Sequence, residues 1–230
     1  MKIENLLHFR FRFQNLLLWL FLYLVVSPLL AGMPNAFMVT QALFTIVLFS
    51  AIYTIHRENK LQWPAIVLMT LTTILLWGNI SGLLQISDKA IDVILVLYLA
   101  LLVLSFSHYI FDAKKVDAEL ISAALCLYLL LALLWASLFM LMEDCLPGSF
   151  AGAGLGHTDH IRAEFQRFHY LSFITITTLG YGDITPQTPP AMALCQLEAV
   201  IGQFFTAVFV ARLVGIQVAQ SFAEKLDSTK

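Results

Sequence analysis

The chain has 230 residues, of which 60% are hydrophobic and 12% charged, with a mean hydropathy of +0.82 and a formal net charge of −2. A soluble domain of this length is nearer half apolar and a quarter charged, so composition argues against a soluble enzyme or binding module and for an integral membrane protein. Cys126, Cys145 and Cys195 form neither an even framework nor a CxxC pair, which speaks against a disulfide scaffold or a zinc site.

In chain order, residues 1–14 are basic and 15–32 apolar. That apolar run is long for a signal-peptide core, and its removal would leave an odd number of spans, so a retained first helix is expected. Five more apolar segments follow, over 37–55, 64–84, 90–111, 119–142 and 190–218. Each runs to roughly 20 residues or more, the length a bilayer core requires. Residues 148–156 are glycine-rich and read as a flexible outer loop. The stretch 162–177 is helical but short, and a glycine-rich turn follows it directly. It reads as a re-entrant helix, since backbone that breaks at membrane depth is tolerated only where protein buries it or it lines water. Residues 219–230 are a polar tail too small for a core.

Lysine and arginine set the expected orientation. Lys2, Arg10, Arg12, Arg57, Lys60, Lys114, Lys115, Lys225 and Lys230 fall on one side, against Lys89 and Arg162 on the other. Basic residues mark the cytoplasmic face. Both termini are therefore expected inside a cell membrane, with the loop carrying the short helix outside.

Thr175-Ile176-Thr177-Thr178-Leu179-Gly180-Tyr181-Gly182-Asp183 carries the chemistry. An ion that sheds its water needs replacement oxygens, and carbonyls from several chains aimed at one axis supply them. Alternating glycines permit the backbone angles that turn successive carbonyls inward. In this reading the carbonyls of Thr178, Leu179, Gly180 and Tyr181 bind the ion, with Gly182 completing the strand. The Thr178 hydroxyl closes the inner end, Thr177 supports it, and Asp183 sits at the outer mouth. Leu179 and Tyr181 brace the ring from behind.

The motif resembles the selectivity filter of the tetrameric potassium channel superfamily. The resemblance implies an all-α membrane protein with six transmembrane helices, a re-entrant pore helix and a filter, assembled as a homotetramer that conducts K+ passively. It makes 117–218 a pore domain, 1–116 a four-helix region in the position of a voltage sensor, and 219–230 a cytoplasmic tail. Partners are then potassium ions and membrane lipid, with no nucleic acid, no enzyme activity and no cofactor beyond the permeant ion. The run Leu197 to Gly202 with Ala211-Arg212 is similar to the inner helix of prokaryotic inward-rectifier-type channels, without a counterpart to their large cytoplasmic domain. Leu179 stands where valine is commoner, Tyr170-Leu171 where many members have paired tryptophans, and Ile174 where some have glutamate. Different hydrogen bonds must therefore brace this filter.

Voltage sensing uses charges that move in the field, each contributing about 2.3 kcal/mol per 100 mV. Segment 90–111 contains no arginine or lysine, only Asp92 and His108. Steep voltage gating by that device is not expected, and the four helices read as a shield for the pore.

Other residues keep two readings. Glu198 either bonds behind the filter, sets a negative cavity potential, or packs in protonated form, with Gln203 as partner or cavity lining. Gly202 is either a hinge or a point of close helix packing. Arg212 snorkels to headgroups or serves an inner gate. Phe204, Phe205 and Phe209 pack, or constrict a closed bundle. His157 and His160, around Asp159, form a solvated loop or a proton or metal sensor. His169 reads as a hydrogen-bonding brace. A poorly selective cation channel is the neighbouring reading, against which Gly180-Tyr181-Gly182 speaks. Two different functions also compete: a non-conducting regulatory or sensory subunit using the His157–His160 loop, and a membrane enzyme built on those histidines, which no nucleophile or metal constellation supports. No phosphate-binding glycine loop suggests a pump.

Overall fold

A computed structural model of the chain describes residues 12–30, 36–54, 62–84, 86–113, 115–152, 155 and 161–228. Its helices are α1 (Arg12–Leu29), α2 (Ala36–Thr54), α3 (Gln62–Ile80), α4 (Asp88–Asp112), α5 (Ala118–Cys145), α6 (Ile161–Ile176) and α7 (Pro189–Ser228). All except α6 are long and apolar enough to cross a membrane. Two short strands, β1 (Phe150–Gly152) and β2 (Ile184–Pro186), pair antiparallel with Ala151 opposite Thr185.

Helix α5 is the spine. Its 28 residues span about 42 Å at 1.5 Å per residue. Asp117 starts it by accepting the Leu120 amide at 2.8 Å, which satisfies one of the orphan donors of the first turn. On one side α5 packs against α1 and α4, with α2 on α1 and α3 on α4. Leu16, Leu20, Leu48, Tyr98, Leu102 and Leu130 form the centre of that core. On its other side Phe139 meets Phe150, Phe168 and Ile184, a second core that joins α5 to α6 and the strand pair.

Four features depart from expectation. The glycine-rich 148–156 segment is not wholly a free loop: Phe150 is buried, and Gly148 and Phe150 donate their amides to the Glu143 carboxylate at 2.7 and 3.0 Å. The strand pair it forms adds a small β element to a fold that is otherwise all-α among the described residues. Arg12 lies within α1 rather than ahead of it, is buried, and pairs with Glu119 of α5 at 3.6 Å. Finally, α7 continues as helix to Ser228, past the point where polarity begins. Residues 219–228 hold neither Gly nor Pro, so nothing local stops the helix.

Candidate functional site

The segment from Thr177 to Asp183 leaves the C-terminus of α6 and is held at both ends. At the α6 end its amides turn back onto the helix. Thr177 N–H donates to Phe173 O at 3.2 Å and Thr178 N–H to Thr175 O at 3.0 Å, while Leu179 and Gly180 both donate to Ile174 O at 2.9 Å. These bonds cap carbonyls that a helix end otherwise leaves open. A trans peptide sets its C=O opposite its N–H. The carbonyls of Thr177, Thr178 and Leu179 therefore point away from α6.

Positive φ recurs at every second residue: Thr178 at 62°, Gly180 at 53° and Gly182 at 76°. Alternating handedness keeps successive peptide planes facing alike, where a strand would alternate them. Thr178 adopts a left-handed conformation without being glycine, at a cost of roughly 1–3 kcal/mol that only the surroundings can hold. Sequence reasoning expected unusual backbone angles at the glycines and missed the one at Thr178, because nothing in a threonine announces it.

At the far end Asp183 accepts a hydrogen bond from Tyr170 of α6 at 2.8 Å. That bond, first among its causes, raises the Tyr170 hydroxyl above the ordinary phenol range, so it remains a donor at neutral pH. Strand β2 then ties the chain to β1, and Gln187 N–H donates to Ser149 O at 2.7 Å. The Thr188 carbonyl and two prolines open α7. In the single chain the segment is open: Leu179 is 54% exposed and Tyr181 68%.

Behind the segment lies a polar contact set in an apolar surround. The Tyr128 hydroxyl of α5 donates to Ile176 O at 3.0 Å. Ser172 of α6 bonds Ala132 O of α5 at 2.7 Å and also the Glu198 carboxyl of α7. Glu198 and Ser172 are fully buried. Gly202, one turn further on α7, lies against the same place: a Cβ there would sit 2.7 Å from Ile176 O. Close approach therefore accounts for Gly202 in this conformation. Gln203 is exposed and is not the partner of Glu198; Ser172 is. Neither Tyr128 nor Ser172 was singled out from sequence, although an acid within an apolar helix signals that a hydroxyl must face it.

The remaining candidates are placed as follows. His169 is buried and its Nδ1 lies 2.8 Å from the Tyr23 hydroxyl, so the brace reaches α1. Phe165 and Phe44 pack around the same imidazole. Phe205 stacks on Tyr128 and on Phe209, at 5.5 and 5.8 Å between ring centres. Phe209 thus packs within its own chain here, while Phe204 stands exposed. Arg212 does not reach outward: one guanidinium nitrogen donates to the carbonyls of Ile110, Phe111 and Ala113 at 3.3, 2.6 and 3.2 Å. A cation at the C-terminus of α4 meets both its open carbonyls and its dipole. His157, Asp159 and His160 lie outside the described residues. Among the described residues no cluster of three or more His, Cys, Asp or Glu could hold a metal ion.

No curated protein matches the chain. Residues 123–218 match a family model described as an ion channel, and that stretch runs from the first turns of α5 through α6 and the 177–183 segment into α7. The match likens that stretch to an ion channel, and six helices among the described residues are long and apolar enough to cross a membrane.

Proposed function

We propose that the chain is one subunit of a homotetrameric, potassium-selective channel whose filter is Thr178-Leu179-Gly180-Tyr181-Gly182. One observation carries the reading: positive φ alternates at 178, 180 and 182 while the amides of 178–180 are spent on α6. Carbonyl oxygens are left as the groups such a strand can offer, and carbonyls in register are what a dehydrated cation needs. A single strand surrounds nothing, so several copies about an axis are required. The uncovered face of α7 supports this, since only 6% of its most apolar 18-residue stretch is buried within the chain.

In this reading α6 is a re-entrant pore helix, α5 and α7 are the outer and inner pore helices, and both termini lie in the cytoplasm of a cell bounded by this membrane. Helices α1–α4 shield the pore and do not sense voltage steeply. From Ala90 to Asp112 α4 has no arginine or lysine to carry gating charge. The chain reconstituted in a planar bilayer tests the proposal. Under opposed potassium and sodium gradients the reversal potential should follow potassium, and a reversal indifferent to potassium overturns it.

A further inference from the structure

The Ser172 hydroxyl has one proton and two acceptors within reach. It lies 2.7 Å from Ala132 O, which can only accept, and it also bonds Glu198 Oε1. Ser172 cannot donate fully to both. If it donates to the carbonyl, the second bond requires the carboxyl to be the donor. Burial argues the same way. Glu198 is fully buried in an apolar helix, no ion pair reaches it among the described residues, and its second oxygen has no partner. An anion so placed lacks the cation and donors that would sustain it, whereas a neutral acid leaves unmet only a weak acceptor. The other titratable groups near it are Tyr128 from α5 and Cys195 from α7, and neither supplies positive charge.

We propose that Glu198 is held as a neutral carboxylic acid that donates to Ser172, which donates in turn to Ala132 O, so that one directed chain of hydrogen bonds locks α7, α6 and α5 together behind the filter. Glu198 is a positioning residue: it touches no ion and acts through α6. Ser172 sits one turn before Ile176, whose carbonyl takes the Tyr128 bond and lies against Gly202. The relay therefore fixes the helix end from which the filter strand departs. This role rests on the filter reading above.

Infrared absorption of the full chain in lipid vesicles tests the donor directly. A protonated carboxyl band, shifted by deuterium exchange, should be present in the natural chain and absent from Glu198→Gln. If the band lost is instead that of a carboxylate, the proposal is overturned, whatever ion the chain conducts. Bilayer recording tests the positioning. Glu198→Gln keeps a neutral donor and should hold potassium current near the natural level. Glu198→Leu and Ser172→Ala should each reduce open lifetime about tenfold, as expected for one buried hydrogen bond. The two together should do little more harm than either alone. Glu198→Gln failing as badly as Glu198→Leu, or Ser172→Ala leaving the lifetime unchanged, overturns the relay. Should Glu198→Leu not fold, the Gln and Ala variants still decide. A natural chain without potassium selectivity sinks the filter reading, while the infrared result still judges the donor.

Discussion

Helices α5 and α7 are both long and apolar, yet the structure treats them in opposite ways. Of the most apolar 18-residue stretch of α5, 56% is buried inside the chain, against 6% for that of α7. The chain packs most of α5 and leaves only Ile121 and Leu125 among its large apolar side chains exposed, whereas on α7 Leu197, Phe204 and Val208 are exposed at helical spacing. Hydropathy says that both helices avoid water and does not say what covers them. Burial places more of α5 than of α7 inside the chain, and the proposal above covers α7 with other copies and a pore.

The strongest way to break this contrast is at the strand the two helices flank. Gly180→Ala places a side chain at φ 53°, where, its chain neighbours aside, nothing among the described residues lies within 4 Å of a new Cβ. The penalty is backbone strain of roughly 1–2 kcal/mol per residue, repeated in every copy of a tetramer. Potassium current in an assembled channel should fall more than about a hundredfold, read by bilayer recording beside a tetramer band in native mass spectrometry. Unchanged selectivity would remove Gly180 from the ion path.

A paired substitution addresses the helices themselves. An aspartate at membrane depth costs about 2.5–3.5 kcal/mol. Leu130→Asp puts it in the finished core, where Leu130 is fully buried, and should unfold the chain. Phe204→Asp puts it on the open face, where Phe204 is 65% exposed, and should leave helix content intact while the tetramer dissociates. Circular dichroism and native mass spectrometry separate the two outcomes. A Phe204→Asp tetramer of natural stability would show that this face is not the one the copies share.

Arg212 provides a smaller test, since it is where α7 is most firmly tied to the peripheral helices. Arg212→Ala removes the donor to three carbonyls of α4, and hydrogen bonds from a charged group contribute roughly 1.5–3 kcal/mol when well desolvated. Partial exposure brings the expected loss to the lower end, about 1–2 kcal/mol in denaturant titration. Arg212→Lys should recover part of it, having charge but no planar fork. A variant as stable as the natural chain would return Arg212 to the headgroups.

The helices were legible because bilayer length and composition are one-dimensional signals. The observed bounds of α2 and α6 lie within a residue or so of the apolar and helical runs that announce them. What was not legible depends on pairs far apart in the chain. Tyr23 and His169 are 146 residues apart, Tyr128 and Ile176 48, and Ser172 and Glu198 26. No local pattern links such residues; only the packing of α1 and α7 on α5 and α6 does. The strand pair escaped for the opposite reason, since three residues are too few to show an alternation. Within the 177–183 segment the glycines spoke for their backbone, and Thr178, equally left-handed, did not.

The smallest predicted effect is also local. Where the superfamily that the sequence resembles often has tryptophans, this chain has Tyr170, whose hydroxyl donates to Asp183 at 2.8 Å. Tyr170→Phe removes the hydrogen bond and keeps the ring. Tyr170 is exposed in the single chain, so the bond contributes modestly, and the expected change is a few-fold faster decay of potassium current during sustained opening. Asp183→Asn should reproduce it in part, because an amide oxygen still accepts but without charge. The pH dependence follows from the sign of the shift. Tyr170 is raised above its unfolded value, so its contribution is complete below the ordinary phenol range and is lost only as pH climbs through the raised one. Decay in the natural chain should then be flat across neutral pH and quicken only in strong alkali, while Tyr170→Phe should be fast at every pH. If the natural chain and the variant decay alike, the outer end of the segment is held by β1, β2 and Glu143 alone.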